Sequence, residues 1–304
     1  MLAQNSTSLE PFLASEIQTS YATSKAVILP IPYEATTTYR QGCQNGPNAI
    51  LAASQQLENY DDELERETGT DVGIYTHLAI ADTREGQLIS SQKMLQVTNQ
   101  TVAKLLDDKK FVIALGGEHS ITAGVVDAYR TVYNESFTVI QIDAHADLRH
   151  EYEGSIHNHA CVMRRIVEMG LPTLPIGIRS LSQEEANLIK EKSIPVFWAR
   201  KIAQQPNWIK QALGKITTQK VFITIDLDGI DPTLIPGVGT PEPGGLNWYA
   251  LTNFLRQVFA TYQVIGCDVM ELAPVADSVV SQYTAAKLVY KLIGYQALAQ
   301  GWQD

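Results

Sequence analysis

The chain has 304 residues, of which 45% are hydrophobic, and its formal net charge is −10. An apolar fraction of this size supports a large buried core and excludes a disordered chain. The acidic balance disfavours binding to nucleic acid or to anionic membranes, and it is compatible with a small cationic substrate. Three cysteines are too few for a disulfide framework and indicate a reducing compartment.

Residues 1–24 read as a polar N-terminal extension, and we predict a single domain over residues 1–304. The extension lacks the basic and apolar segments of a secretory signal peptide. No apolar run in the sequence approaches the roughly 18 residues that a membrane-spanning helix needs. We therefore expect a cytoplasmic protein with no membrane partner.

Short β-branched runs alternate with helical patterns along the chain. The predicted strands lie within residues 26–31, 71–80, 111–115, 137–142, 175–178, 195–198, 221–225 and 264–269. The predicted helices span residues 46–57, 87–106, 119–133, 160–169, 182–192, 202–213, 248–259 and 279–299. In the second of these helices, the period places Leu88 on the apolar face with Leu95 and Val102.

Strands without polar alternation are typical of a parallel sheet that is buried on both faces. We therefore predict an α/β fold, a three-layer α/β/α sandwich with a mostly parallel central sheet. A (β/α)₈ barrel is the alternative that fits the number of elements. In both folds, the loops at the carboxyl ends of the strands carry the chemistry.

Three polar clusters each follow a predicted buried strand: GGEH at 116–119, DAHAD at 143–147 and DLD at 226–228. Side chains two positions apart in an extended segment point to the same side, so these groups can converge. One cluster alone could be a turn or a helix cap, but three together favour a metal site. The predicted ligands are His119, Asp143, His145, Asp147, Asp226 and Asp228. Such carboxylate and imidazole donors suit Mn²⁺, and their number suggests two cations.

Two further residues are candidates for the chemistry itself. His159 begins a predicted helix, and it is the candidate acid/base because imidazole titrates near neutral pH. Glu271 ends the last internal strand, at the edge of the sheet where the metal ligands are expected. Its carboxylate could pair with a planar cation such as guanidinium, although a salt bridge to a neighbouring arginine is the structural alternative.

In this order and spacing, the motifs resemble those of the ureohydrolase family, which contains arginase and agmatinase. The resemblance covers nearly the whole chain and includes GGEHS at 116–120, DAHAD at 143–147, HAC at 159–161, GIRS at 177–180, DLDGIDP at 226–232, GTPEPGGL at 239–246 and ELAP at 271–274. It implies a two-manganese hydrolase with the arginase sandwich fold that converts a guanidino group into urea and an amine. It also implies a homotrimer or a homohexamer.

The resemblance assigns a role to each site residue. His119 and Asp147 would bind one Mn²⁺, His145 and Asp228 the other, and Asp143 and Asp226 would bridge them. A bridging hydroxide would attack the guanidinium carbon held by Glu271. Asp147 would also accept a hydrogen bond from that hydroxide, and His159 would relay a proton to the leaving amine.

Glu118 departs from the family pattern, in which the first motif commonly reads GGDHS. His119 is kept, so metal ligation is expected to be intact. We expect the carboxylate of Glu118 to support the metal ligands without binding the metal itself. One additional methylene at this position could change metal affinity. Two Mn²⁺ per chain are therefore the expected cofactors, with Ni²⁺ as the alternative.

The loop at residues 148–155 favours agmatine as the substrate, to give putrescine and urea. This loop is acidic and aromatic, whereas arginase binds the amino-acid end of its substrate through a loop rich in Asn, Thr and Ser. Glu151 or Glu153 could bind the ammonium tail of agmatine. Arginine, guanidinobutyrate, formiminoglutamate and free guanidine are the alternative substrates. A deacetylase-like enzyme with a single Zn²⁺ is less favoured, because ligands for a second metal are present.

Overall fold

The computed structural model describes residues 10–14, 17 and 19–302, so half of the predicted N-terminal extension lies outside the described residues. The strands are β1 (Ala26–Ile31), β2 (Tyr60–Asp61), β3 (Arg66–Glu67), β4 (Ile74–Thr76), β5 (Phe111–Gly116), β6 (Thr138–Ile142), β7 (Thr173–Ile178), β8 (Phe197–Trp198), β9 (Lys220–Asp226) and β10 (Gln263–Met270). The helices are α1 (Gly46–Ser54), α2 (Thr68–Val72), α3 (Ser91–Asp107), α4 (Thr122–Tyr133), α5 (Val162–Glu168), α6 (Gln183–Lys192), α7 (Ala199–Gln204), α8 (Trp208–Leu213), α9 (Trp248–Thr261) and α10 (Val280–Gln300).

Eight of these strands form one sheet in the order β4-β1-β5-β10-β9-β6-β7-β8, and each neighbouring pair is parallel. Within the described residues the sheet is open, with β4 and β8 at its edges. The predicted sandwich is therefore confirmed and the barrel alternative is wrong. Strands β2 and β3 form a separate antiparallel hairpin, which was not among the predicted elements.

Alternation along the strands divides the core into two apolar layers, one on each face of the sheet. In β1, Val27 and Leu29 belong to one layer, whereas Ala26 and Ile28 belong to the other. Helices α3 to α6 cover the first face, and α1 and α7 to α10 cover the second. Because both faces are buried, every residue of β1 and of β5 is buried, as the unbroken apolar runs predicted.

Part of the predicted extension packs on this domain. Phe12 and Leu13 are buried in the second layer. Their backbone N–H groups donate to the hydroxyls of Thr76 and Ser54, each at 2.8 Å. The described part of this segment therefore contributes to the core.

Two helix predictions need correction. The helix predicted over 87–106 begins at Ser91, because the side chain of Ser90 caps it by accepting from the N–H of Lys93. Leu88 precedes the helix and is fully exposed, so its place on the apolar face was wrong. The helix predicted over 202–213 is two helices, α7 and α8. Pro206 separates them because it lacks an N–H and disfavours a helical conformation in Gln205.

The order of the central strands determines where the chemistry lies. Strands β5, β10, β9 and β6 are consecutive neighbours, and each carries one of the predicted site segments at its carboxyl end. Parallel strands end at the same edge, so four distant parts of the sequence meet there. Among the described residues, no helix combines the length and the apolar character that crossing a membrane requires.

Candidate metal centre

The imidazole of His119 lies at the centre of three carboxylates. Its Nδ1 atom is 3.1 Å from Oδ2 of Asp147, 3.2 Å from Oδ2 of Asp143 and 3.3 Å from Oδ2 of Asp226. Its Nε2 atom contacts the hydroxyl of Thr224 at 2.8 Å. The contact with Thr224 orients the ring so that Nδ1 faces the carboxylates.

A second imidazole faces the other side of Asp143. Nδ1 of His145 lies 2.9 Å from Oδ2 of Asp228 and 3.8 Å from Oδ1 of Asp143. Two groups of potential ligand atoms result, one from His119, Asp143 and Asp147 and the other from Asp143, His145 and Asp228. In each group the ligand atoms lie within 4.8 Å of one another, and the two groups share Asp143.

These donor sets fit two divalent cations. A cation with ligands at about 2.1 Å in octahedral geometry holds neighbouring ligand atoms about 3 Å apart. The separations of 2.9 to 3.3 Å between imidazole nitrogens and carboxylate oxygens match this spacing. Carboxylate and imidazole donors without cysteine suit manganese-type ions better than a structural zinc site.

The electrostatics of the centre also point to bound cations. Burial and the charges of Asp147 and Asp228 raise the pKa of Asp143 to about 7. Burial and the charges of Asp228 and Asp143 raise the pKa of Asp226 well above its usual value. Burial alone would lower the pKa of His145, but the charge and hydrogen bond of Asp228 raise it to about 11. Such a cluster of buried acids needs positive charge to remain ionised at neutral pH.

Glu271 lies directly beside this centre. The residue follows β10, is 8% exposed, and accepts a hydrogen bond from the backbone N–H of His119 to its Oε1 at 2.7 Å. Burial and the charges of nearby acids raise its pKa to about 8. Glu271 has a φ of 68° and Asp147 a φ of 52°, both in the left-handed region that costs a non-glycine residue about 1 kcal/mol. The site therefore contains backbone strain at two of the predicted functional residues.

His159 reaches the same cavity from the loop before α5. It begins a 3₁₀ turn, His159–Cys161, which Asn158 caps by accepting from the N–H of Ala160. The backbone N–H of His159 donates to Oγ1 of Thr36 at 3.0 Å, and its Nδ1 lies 3.4 Å from the same oxygen. The half-buried ring lines the cavity next to the candidate ligands.

The cavity above the centre has a volume of about 210 Å³. It is lined by the four candidate ligands His145, Asp147, Asp226 and Asp228, together with Glu271 and His159. The remaining wall is formed by Thr37, Thr38, Tyr39, Arg40, Arg149, Tyr152, Ala160, Ser180, Leu181, Glu185, Gly239 and Thr240. A small molecule that enters this cavity would meet carboxylates, imidazoles and other polar and aromatic groups.

The structure does not bring Glu151 and Glu153 to the cavity wall. Both residues are exposed, and the neighbouring Arg149 and Tyr152 line the cavity instead. The guanidinium group of Arg149 lies 4.7 Å from the ring centroid of Tyr152. A role of Glu151 or Glu153 in substrate binding stays a prediction.

Two residues whose role the sequence did not indicate contact the candidate ligands or their backbone. Thr224 lies two positions before Asp226 on β9, and the period of the strand was a signal that they share a face. Arg179 follows β7 within the GIRS motif. Its guanidinium group donates to the carbonyl oxygens of Asp228 and Glu242 at 2.7 Å each. It thereby fixes the backbone that presents Asp228, a contact with no local sequence signal.

Comparisons with known proteins agree with this geometry. Residues 24–294 match the sequence profile of the arginase family. The N(1)-aminopropylagmatine ureohydrolase of Synechocystis sp. is 58% identical over 95% of this chain and 94% of its own length. The protein of the same name from Thermus thermophilus is 35% identical over 94% of this chain and 95% of its own length. The crystal structure of agmatine ureohydrolase of Thermoplasma volcanium is 28% identical, with a TM-score of 0.81 over 95% of this chain and 94% of that one. This chain therefore belongs to the arginase family, as its motifs predicted, and is a hydrolase of the ureohydrolase type.

Proposed function

We propose that the protein hydrolyses the guanidino group of N(1)-aminopropylagmatine to urea and an amine. The observation that carries this proposal is the 58% identity to the Synechocystis protein of that name, which extends over almost the whole of both chains. Agmatine, the substrate expected from the sequence, is the second candidate. It is supported by the similarity to the agmatine ureohydrolase of Thermoplasma volcanium.

The two candidates undergo the same chemical change. Water adds to the guanidinium carbon, the bond from that carbon to the alkyl nitrogen breaks, and the alkyl nitrogen gains a proton. Loss of urea from N(1)-aminopropylagmatine leaves spermidine, whereas loss of urea from agmatine leaves putrescine. Product analysis therefore distinguishes the two substrates directly.

We propose two Mn²⁺ as the cofactors, with Ni²⁺ as the alternative. His119 and Asp147 would hold one ion, His145 and Asp228 the other, and Asp143 and Asp226 would lie between them. When bound, the ions would supply the nucleophile by lowering the pKa of a water molecule. The second donor group disfavours the deacetylase-like alternative, which needs only a single Zn²⁺.

The remaining steps belong to side chains of this chain. Glu271 would pair with the planar guanidinium group, and its contact with the backbone of His119 holds it in place beside the ligands. Asp147 would accept a hydrogen bond from the attacking oxygen. His159, at the cavity wall, would deliver the proton to the leaving amine.

The aminopropyl extension distinguishes the two candidate substrates at the mouth of the site. It adds three carbons and a second ammonium group to the tail of agmatine. We propose that the tail passes Tyr152 at the cavity wall towards the exposed acids Glu151 and Glu153 on either side of it. The longer substrate reaches farther towards these acids than agmatine does.

Urea release by the purified, manganese-loaded protein tests the proposal. N(1)-aminopropylagmatine, agmatine, arginine, guanidinobutyrate and free guanidine are assayed in parallel, and formiminoglutamate is followed by its own products. We expect kcat/KM for N(1)-aminopropylagmatine to exceed that for each other compound by at least about tenfold. An equal or larger value for agmatine would favour the second candidate. Failure to hydrolyse any of them would contradict the proposed function.

We also propose that the protein assembles as a homotrimer or a homohexamer, as the family resemblance implies. Light scattering at several protein concentrations measures the mass directly. A mass of three or six chains supports the proposal. A stable monomer across the whole concentration range contradicts it.

A further inference from the structure

We propose that Glu118 is a positioning residue that acts through the hydroxyl of Thr36 to fix the orientation and tautomer of His159. The inference rests on the proposed function, because it assumes that His159 delivers a proton during guanidine hydrolysis. The residue at 118 is the position where this chain departs from the usual family motif.

The carboxylate of Glu118 is fully buried and has four hydrogen-bond donors around it. Oε2 accepts from the backbone N–H of Ala35 at 2.5 Å and from that of Thr36 at 2.6 Å. Oε1 accepts from the hydroxyl of Thr36 at 2.7 Å and from that of Ser120 at 2.5 Å. All four partners are donors, so the side chain of Glu118 acts as an acceptor in every one of these contacts. Glu118 therefore joins the segment of His119 to a loop that lies more than eighty positions earlier in the chain.

Each hydroxyl has only one proton to donate, which determines the direction of the next contact. Thr36 gives that proton to Glu118, because the carboxylate can only accept. Towards His159, Oγ1 of Thr36 can then act only as an acceptor. It accepts from the backbone N–H of His159 at 3.0 Å and faces Nδ1 at 3.4 Å.

The nitrogen facing Thr36 must therefore carry a proton. In the neutral imidazole, a proton on Nδ1 leaves Nε2 as the free basic nitrogen. Nε2 of His159 is then the atom that exchanges protons in the cavity. Glu118 and Thr36 together set this tautomer, in the way that a buried carboxylate sets the tautomer of a catalytic histidine.

The neighbouring part of the loop has its own separate anchor, so Glu118 acts mainly on His159. Oε1 of Glu34 accepts from the N–H of Gly42 and from the hydroxyl of Thr37, both at 2.9 Å, and Oε2 accepts from the N–H of Gln44 at 3.1 Å. These contacts hold the cavity wall from Thr37 onward. A change at Glu118 should therefore lower kcat more than it raises KM.

Three single variants and one double variant test this inference. Thr36→Val removes the hydroxyl at nearly constant volume, and Thr36→Ser retains it. Glu118→Asp retains the charge but shortens the side chain by one methylene, and it is the residue common in the family. We expect kcat to fall at least about tenfold in Thr36→Val and in Glu118→Asp, and to stay within about twofold of the wild type in Thr36→Ser. In all three variants, KM should change less than about threefold.

The double variant Glu118→Asp with Thr36→Val shows whether the two residues act through one path. If they do, its kcat is close to that of the poorer single variant, whereas independent effects would multiply. The pH profile of kcat should shift in Thr36→Val and remain that of the wild type in Thr36→Ser. A wild-type kcat in Thr36→Val, or a multiplicative loss in the double variant, would overturn the inference.

Two measurements separate this inference from failure of the proposed function. Metal bound per chain must equal that of the wild type in every variant, since a loss of metal would explain a lower kcat without any role for His159. Hydrogen exchange of metal-loaded protein, which needs no substrate, should rise in residues 155–161 in Glu118→Asp and Thr36→Val. Unchanged exchange there would also overturn the inference. Thr131→Val, which removes an exposed hydroxyl bonded to the carbonyl of Asp127, is the remote control.

Discussion

Nδ1 of His145 lies 2.9 Å from Oδ2 of Asp228, although the two residues follow different strands and are 83 positions apart. Strands β6 and β9 are parallel neighbours, so their carboxyl ends bring the two side chains to one point. His119, which follows β5, contacts Asp143 and Asp147 next to this pair. The parallel topology thus builds two donor sets from segments that are far apart in the sequence.

The metal-free protein should lose stability as the pH rises from 5 to 8. The pKa of Asp143 is raised to about 7 and that of Glu271 to about 8, so the folded state holds more protons than the unfolded state in this range. The stability that Asp143 and Glu271 contribute is complete below the pKa values that these groups have in the unfolded chain. It is lost as the pH rises through their pKa values in the folded protein. The raised pKa of His145, about 11, acts in the same direction above about pH 6.5.

Urea unfolding of metal-depleted protein at several pH values measures this effect. Each fully affected group contributes a slope of at most about 1.4 kcal/mol per pH unit. Added Mn²⁺ should remove the fall, because bound cations stabilise the ionised carboxylates. Greater stability of the metal-free protein at pH 8 than at pH 5 would contradict the acid-cluster account.

Glu271→Gln should weaken catalysis without loss of metal. The amide oxygen can still accept the hydrogen bond from the backbone of His119, but the negative charge that would pair with guanidinium is gone. Removing one partner of a buried charge pair costs about 2–5 kcal/mol, so kcat/KM should fall by at least about 30-fold. Urea assays and metal analysis on the same preparation check both parts. A kcat/KM within about fivefold of the wild type would exclude this role for Glu271.

Glu151→Gln and Glu153→Gln test the proposed path of the substrate tail. Both residues are exposed, and exposed ion pairs contribute at most about 1 kcal/mol. We therefore expect KM for N(1)-aminopropylagmatine to rise about twofold to fivefold in at least one variant, and KM for agmatine to rise less. Raising the salt concentration should reduce the difference. If neither variant changes KM for either substrate, the tail does not bind these acids.

Lys291→Met should destabilise the fold at a point remote from the metal centre. Nζ of Lys291 lies 2.6 Å from Oδ1 of the fully buried Asp61 and 3.0 Å from Oε2 of Glu63, which ties the β2–β3 hairpin to α10. Loss of the lysine leaves Asp61 without its cation, at a cost of about 3–5 kcal/mol. Urea unfolding measures the change.

Lys192→Met is the matched control for this change. Lys192 is exposed and 3.7 Å from Glu191, so its replacement should alter the free energy of unfolding by less than about 0.5 kcal/mol. Equal effects of the two substitutions would show that the buried ion pair does not stabilise the hairpin.

The sequence predicted the strands that end at the site because their runs are short and mostly apolar, and the polar site residues follow at once. The convergence of Asp143, His145 and Asp228 followed from two local rules, alternation along an extended segment and a shared edge of parallel strands. That β6 and β9 are neighbours, which brings their ends to one point, came only from the structure.

Contacts between loops could not be predicted from these two local rules. The hydrogen bonds of Glu118 to Thr36, and of Thr36 to His159, join three segments whose separation no periodicity specifies. The exposed position of Leu88 depends on where Ser90 caps the helix, and a helical period alone does not fix that point. Local pattern thus indicated the candidate ligands, whereas the residues that orient their side chains required the tertiary structure.

The number of divalent ions bound per chain tests the central claim most directly. Metal-depleted wild-type protein is titrated with Mn²⁺ and the bound ion is counted by elemental analysis, in parallel with Asp143→Ala. We predict about two ions per wild-type chain, and loss of at least one in Asp143→Ala, because Asp143 belongs to both donor sets. Saturation of the wild-type protein at one ion per chain, or full retention of metal by the variant, would contradict the account.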